Sequence, residues 1–96
     1  MAGNSTYHAA AGADKVVATG PAVLERIIIG KDVASAVVEV SDHATDGDAD
    51  VKVYLEGSTL HTTAAVVEVG VVFRKGICAD LTNQTNVTFV WRPTSV

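Results

Sequence analysis

Gly70 to Trp91 reads GVVFRKGICADLTNQTNVTFVW, two alternating apolar segments separated by a polar stretch. Side chains alternate faces along a strand, so Ile77, Ala79 and Leu81 share one face, and Val87, Phe89 and Trp91 share one face of the next segment. If both sets are core, the stretch is expected to fold as a hairpin with Leu81 opposite Val87, Ala79 opposite Phe89 and Ile77 opposite Trp91. A slip of one residue would turn every side chain to the wrong side. This register leaves Asn83–Thr85 as a three-residue loop or Thr82–Asn86 as a five-residue one, both common hairpin lengths.

The segments upstream read as further short strands. Lys15–Thr19 (KVVAT) is closed by Gly20-Pro21, a strong punctuation pair. In Ala22–Ile29 (AVLERIII) the Ile triplet and the flanking Pro21 and Gly30 favour a strand over a helix. Strict alternation then puts Val23, Glu25, Ile27 and Ile29 on one face, and Leu24, Arg26 and Ile28 on the other. Ala34–Ser41 places Ala34, Ala36, Val38 and Val40 on its core side. Val51–Glu56 alternates Val51, Val53 and Leu55 against Lys52, Tyr54 and Glu56. Thr59–Thr63 is expected to be briefly extended, and Ala64–Val69 alternates Ala65, Val67 and Val69 against Ala64, Val66 and Glu68. Gly70 then marks a bulge or a close backbone approach.

Composition fits that reading. The chain has 96 residues, enough for one core, and 48% are apolar, dominated by Val and Ala with only five aromatics. The branched Cβ of valine is stiff and suits a pleated, half-buried surface. A net charge of −4, with the seven basic residues scattered and only Arg74 and Lys75 adjacent, argues against wrapping nucleic acid. No run approaches the roughly 20 apolar residues of a membrane helix, and Met1 is not followed by a basic segment and an apolar signal core.

Chemistry-bearing residues are sparse. The single cysteine, Cys78, excludes an internal disulfide and reads as a small apolar filler. His8, His43 and His61 belong to no recognisable motif. Asp42, Asp46, Asp48 and Asp50 raise a calcium reading, since hard cations take several carboxylate oxygens. The run lacks the closing Glu and the glycine placement of an EF-hand loop, however, and Asp and Gly are ordinary turn residues. No paired carboxylates on a recognisable scaffold, nucleophile elbow or phosphate loop is present. The expectation is no enzyme, no cofactor and no metal site.

The expected fold is therefore all-β: a small antiparallel β-sandwich, jelly-roll-like, of seven or eight short strands, with a closed small barrel as the structural alternative. Residues 15–96 form the domain, and Met1–Asp14 is expected to be an extended arm, flexible alone, with Tyr7 its only large anchor. Ile28, Val37, Val66, Cys78 and Val90 lie on faces assigned away from the core. Each exposed side chain of that size forgoes about 1.5–3 kcal/mol out of a total stability of about 5–15 kcal/mol. Some of these faces should be covered, by the opposing sheet or by neighbouring subunits. Tyr7, Val37, Cys78 and Val90 are the candidate interface residues.

Leu24–Gly30 (LERIIIG), the Val-rich strand running into an Asp/Gly turn (AVVEVSDHATDGD) and VFRKGICADLTNQTNVTFVW together resemble small virion structural proteins of tailed bacteriophages. The matching positions in the last element are Phe73, Gly76, Ile77, Val87, Thr88 and Trp91. The resemblance spans Leu24 to Trp91 with gaps. It implies a capsid decoration (cement) protein that binds the outer shell as an oligomer. The partners are then the major capsid protein and further copies of the chain, a trimer being favoured, and the location is the virion surface after synthesis in the host cytoplasm. The alternatives are a carbohydrate- or receptor-binding sandwich displayed on the virion, or a head or tail adaptor. The shared positions are packing and turn positions, so no functional residue is carried over.

Overall fold

In the computed structural model, which describes residues 4–31, 36–47, 49–56 and 65–94, the alternating segments form eight strands. These are β1 (Asn4–His8), β2 (Gly12–Ala18), β3 (Ala22–Ile29), β4 (Val37–Asp42), β5 (Val51–Glu56), β6 (Ala65–Phe73), β7 (Ile77–Thr82) and β8 (Val87–Pro93). One sheet, sheet A, has the order β1-β8-β3-β6, and the other, sheet B, has the order β2-β7-β4-β5. Every pairing is antiparallel. This is the strand order of a jelly roll, in which the chain changes sheet at each connection except the one from β4 to β5. The shortest dimension of 19 Å is that of two sheets packed about 10 Å apart with their outer side chains. Thr59–Thr63, Ala34, His61 and Asp48 lie outside the described residues.

The faces of the Gly70–Trp91 stretch are as expected, but its pairing is not. Ile77, Ala79, Leu81, Val87 and Phe89 are all buried in one core cluster. Yet β7 pairs with β2 and β4, and β8 pairs with β1 and β3, so the two segments belong to opposite sheets. The expected register of Leu81 with Val87, Ala79 with Phe89 and Ile77 with Trp91 does not form. Two strands pointing the same residues inward satisfy the hydrophobic effect equally well as hairpin neighbours or across a sandwich, and the connection decides. Gln84 is wholly buried in that connection, and its side-chain amide donates to the carbonyls of Gly30 and Thr85 at 2.9 and 2.8 Å. The Gly30 amide in turn donates to Asn86 O at 2.9 Å. Trp91 is half-buried at the core margin, where its indole N–H donates to Thr6 Oγ1 at 3.0 Å.

β3 departs from strict alternation. Ala22, Leu24, Ile27 and Ile29 are buried, so Leu24 and Ile27 face inward three residues apart and Val23 faces out. The cause is a pair of register shifts between Leu24 and Arg26. Against β8, where these residues face Trp91 and Val90, Glu25 is the extra residue and resets the phase. Against β6, where they face Val71 and Glu68, the extra residue lies in β6 at Val69–Gly70, the bulge expected at Gly70. In β4 and the residue before it the expected alternation holds, with Ala36, Val38 and Val40 buried. In β6, Val67 and Val69 turn inward while Val66 and Glu68 are exposed.

The sandwich also takes in the described part of the arm. β1 pairs along β8 from Asn4 opposite Trp91 to His8 opposite Val87, and the boundary expected at Asp14 falls inside β2. The backbone groups on that side of β8 need partners, and β1 supplies them. Its inward residues are polar and close the sandwich margin. Thr6 Oγ1 donates to Val17 O at 3.3 Å, His8 Nε2 donates to Val16 O at 3.0 Å, and the His8 ring meets Phe89 edge-on with centroids 6.3 Å apart.

Candidate functional site

Packing leaves one face of the sandwich with a largely apolar cross-strand row. On the outer side of sheet A, Tyr7, Thr88, Ile28 and Val66 are successive cross-strand partners, one from each strand. Tyr7 is 59% exposed, Ile28 40% and Val66 59%. The next row is Ser5, Val90, Arg26 and Glu68, and beyond the bulge Arg92 and Val72 flank Val23. Because the bulge resets the phase, Glu25 and Arg26 are both only half-buried.

Charges on this face are paired. Arg26 Nε lies 3.3 Å from Glu68 Oε2, and Arg92 Nε lies 3.0 Å from Glu25 Oε2. Exposed pairs of this kind contribute about 0–1 kcal/mol each, so their main effect is to leave the face without net charge. Around them lies an open depression of about 510 Å³, lined by Val23, Val69, Gly70 and Val72 together with the four charged residues.

The opposite face, outside sheet B, mixes acidic residues with the exposed Tyr54 and Val16. Tyr54, Glu39 and Asp80 form one cross-strand row, and Glu56, Val37 and Thr82 form the next. The loop after β4 folds back over β7. A Cβ on Gly47 would sit 2.8 Å from Ala79 C, and one on Gly76 would sit 2.9 Å from Ala44 Cα, so both glycines are required by close approach. Two hydrogen bonds hold the loop at Gly47, and a third ties its partner Asp14 to β7. Gly47 N–H donates to Asp14 Oδ1 at 2.9 Å, Asp14 N–H donates to Asp80 Oδ1 at 2.8 Å, and Ser41 Oγ donates to Gly47 O at 2.7 Å.

Asp42 and Asp50 make contacts within the fold. Asp42 accepts the backbone N–H groups of Lys75 and Arg74 at 2.8 and 3.2 Å. Burial pushes its carboxyl up, but these hydrogen bonds, that of Gly76 and the charge of Lys52 outweigh it and hold the group below its ordinary value. His43 Nδ1 accepts the N–H groups of Thr45 and Asp46 at 3.1 and 3.0 Å. Asp50 pairs with Lys52 at 3.8 Å. Among the described residues no three His, Cys, Asp or Glu side chains come together as a metal-holding group.

The four expected interface residues therefore separate. Tyr7 and Val90 share the outer face of sheet A, whereas Val37 is half-buried on the far side of the molecule. Cys78 is no interface residue, because it is wholly buried in β7 where the 43–47 loop closes over that strand. Burial, and then the negative charges of Asp14, Asp80 and Asp46, push its thiol up to about 11, so it is neither thiolate nor accessible nucleophile near neutral pH. Ile28 and Val66 were legible as outward-facing by parity. Val72 was not singled out, although it follows the same alternation two positions after Gly70. The chain matches no protein-family model, no curated protein and no solved structure.

Proposed function

We propose that the chain is a virion structural protein, a non-catalytic capsid decoration (cement) protein that lies on the outer shell as a homo-oligomer and stiffens it by bridging capsomers. The observation that carries this reading is the division of the two faces. The outer side of sheet A presents a charge-balanced surface with Tyr7, Ile28 and Val66 exposed in one row, whereas on the outer side of sheet B the exposed Tyr54 and Val16 are set apart, Tyr54 beside the acidic Glu39. A cluster of exposed apolar side chains flanked by polar residues marks a protein-binding surface. The tailed-phage resemblance of Leu24–Trp91 supplies the kind of partner, a capsid protein. A sugar-binding role is less well supported, since Tyr7 and Tyr54 lie on opposite faces and do not form one aromatic platform.

The test is co-sedimentation of the purified chain with shells assembled from the capsid protein encoded in the same genome. Binding is expected, together with a higher temperature of shell disruption. Tyr7→Glu with Ile28→Glu should abolish binding while Tyr54→Glu leaves it intact. A folded chain that fails to bind such shells, or that binds equally well with the Tyr7 and Ile28 substitutions, overturns the reading.

A further inference from the structure

We infer that two copies of this chain associate about a two-fold axis through β6, their β6 strands running antiparallel edge to edge. β6 is the last strand of sheet A, hydrogen-bonded to β3 on one side and to no described strand on the other. It is nine residues long, against the usual 5–6 or so for a strand. It carries neither the Lys nor the Pro that commonly blunts an edge, and its one irregularity is the bulge at Val69–Gly70, between the exposed Val66 and Val72. Val66 and Val72 are 59% and 44% exposed, and the inward Val67, Val69 and Val71 are only half-buried.

The strand's own sequence identifies the occupant as a second copy. AVVEVGVVF is nearly palindromic about Val69, with Val67 and Val71 one step out on the inner face and Val66 and Val72 further out on the outer face. Antiparallel pairing about a two-fold keeps like faces together only when the axis passes through a residue rather than between two. With the axis at Val69, Val66 meets the partner's Val72 and Val67 meets the partner's Val71, and the strands overlap along their whole length, the ladder being interrupted only at the Val69–Gly70 bulge. An axis at Glu68 sets two carboxylates directly opposite, which is unfavourable. Axes at Val67 or Gly70 shorten the overlap and set Val66 or Val72 against unlike residues.

Gly70 fits this register. It has φ +68, and a Cβ there would meet nothing within 4 Å, so the space above it is open. The residue it receives is the partner's Glu68, whose carboxylate is thereby set beside the depression that carries Arg26 and Arg92. The two sheets A become one continuous sheet, and Val66 and Val72 leave water in pairs. The inference does not rest on the shell-binding reading. It gives a two-fold dimer where the phage resemblance favours a trimer.

The test combines mass and cross-linking. Light scattering on the full chain at about 100 µM, well above a micromolar dissociation constant, should give twice the 9.9 kDa chain mass. The double variant Val66→Cys/Val72→Cys should form a disulfide-linked dimer under mild oxidation, whereas neither single variant should. Within one chain the two positions are about 20 Å apart along the strand and cannot bridge. If the cysteine variants fail to fold, Val66→Lys/Val72→Lys and Val66→Glu/Val72→Glu should each be monomeric alone and form a mixed dimer together. A monomeric chain, a single cysteine variant that cross-links as well as the double one, or a charge pair that does not re-associate on mixing overturns the inference. Failure to bind shells leaves it untouched.

Discussion

The side-chain amide of Gln84, wholly buried, donates to the carbonyl of Gly30 at 2.9 Å and so ties the β7–β8 connection to the end of β3. This contact helps carry the chain from sheet B to sheet A where a tight hairpin would keep it in one sheet. Gln84→Ala removes the donor and leaves a void, and should cost about 2–3 kcal/mol in urea unfolding. A change below about 0.5 kcal/mol would show that the connection is held by other means.

Asp42 links the ends of β4 and β6 through the amides of Arg74 and Lys75. Its carboxyl is held below the ordinary value in the folded chain, so the stabilisation is present above the unfolded value near pH 4. It is lost as pH falls through the lower folded value. The melting temperature should therefore drop on acidification below about pH 4. Asp42→Asn should lower it at neutral pH and flatten the acid limb, and an unchanged pH profile in the variant would refute this role.

Cys78 should resist labelling by thiol reagents at pH 8 in the native chain and react at once in denaturant. Its folded value of about 11 exceeds the ordinary 9.0. The neutral thiol thus contributes stability below the ordinary value that is lost as pH rises from there through 11. Cys78→Ala should weaken the alkaline fall in melting temperature. Rapid native labelling would mean that the 43–47 loop does not cover the strand.

Thr6 accepts from the indole of Trp91 and donates to Val17 O, which makes β1 part of the fold. Deleting Met1–His8 should cost at least about 1 kcal/mol, or about 4–8 °C in melting temperature for a domain of this size. Trp91 is the only tryptophan, so its emission should shift red in the truncated chain. Unchanged melting and emission would return this segment to the status of a free arm.

Alternation of Val, Ile and Ala by itself determined the fold class and most of the inward faces. Val38 and Val40, Ile77, Ala79 and Leu81, and Val87 and Phe89 are buried as the two-residue period requires. It also marked Ile28 and Val66 as outward apolar residues, and hence half of the candidate surface. What only the tertiary structure decided was pairing, because parity says which way a side chain points and nothing about which strand lies beside it. So β7 and β8 face each other across the core, and the bulge at Glu25 brings Leu24 and Ile27 to one side. Burial of Gln84 and Cys78 likewise depends on segments distant in sequence, Gly30 for the one and the 43–47 loop for the other. The Gly70–Trp91 stretch thus specified two inward faces, and the long-range contacts of its connection placed them in opposite sheets.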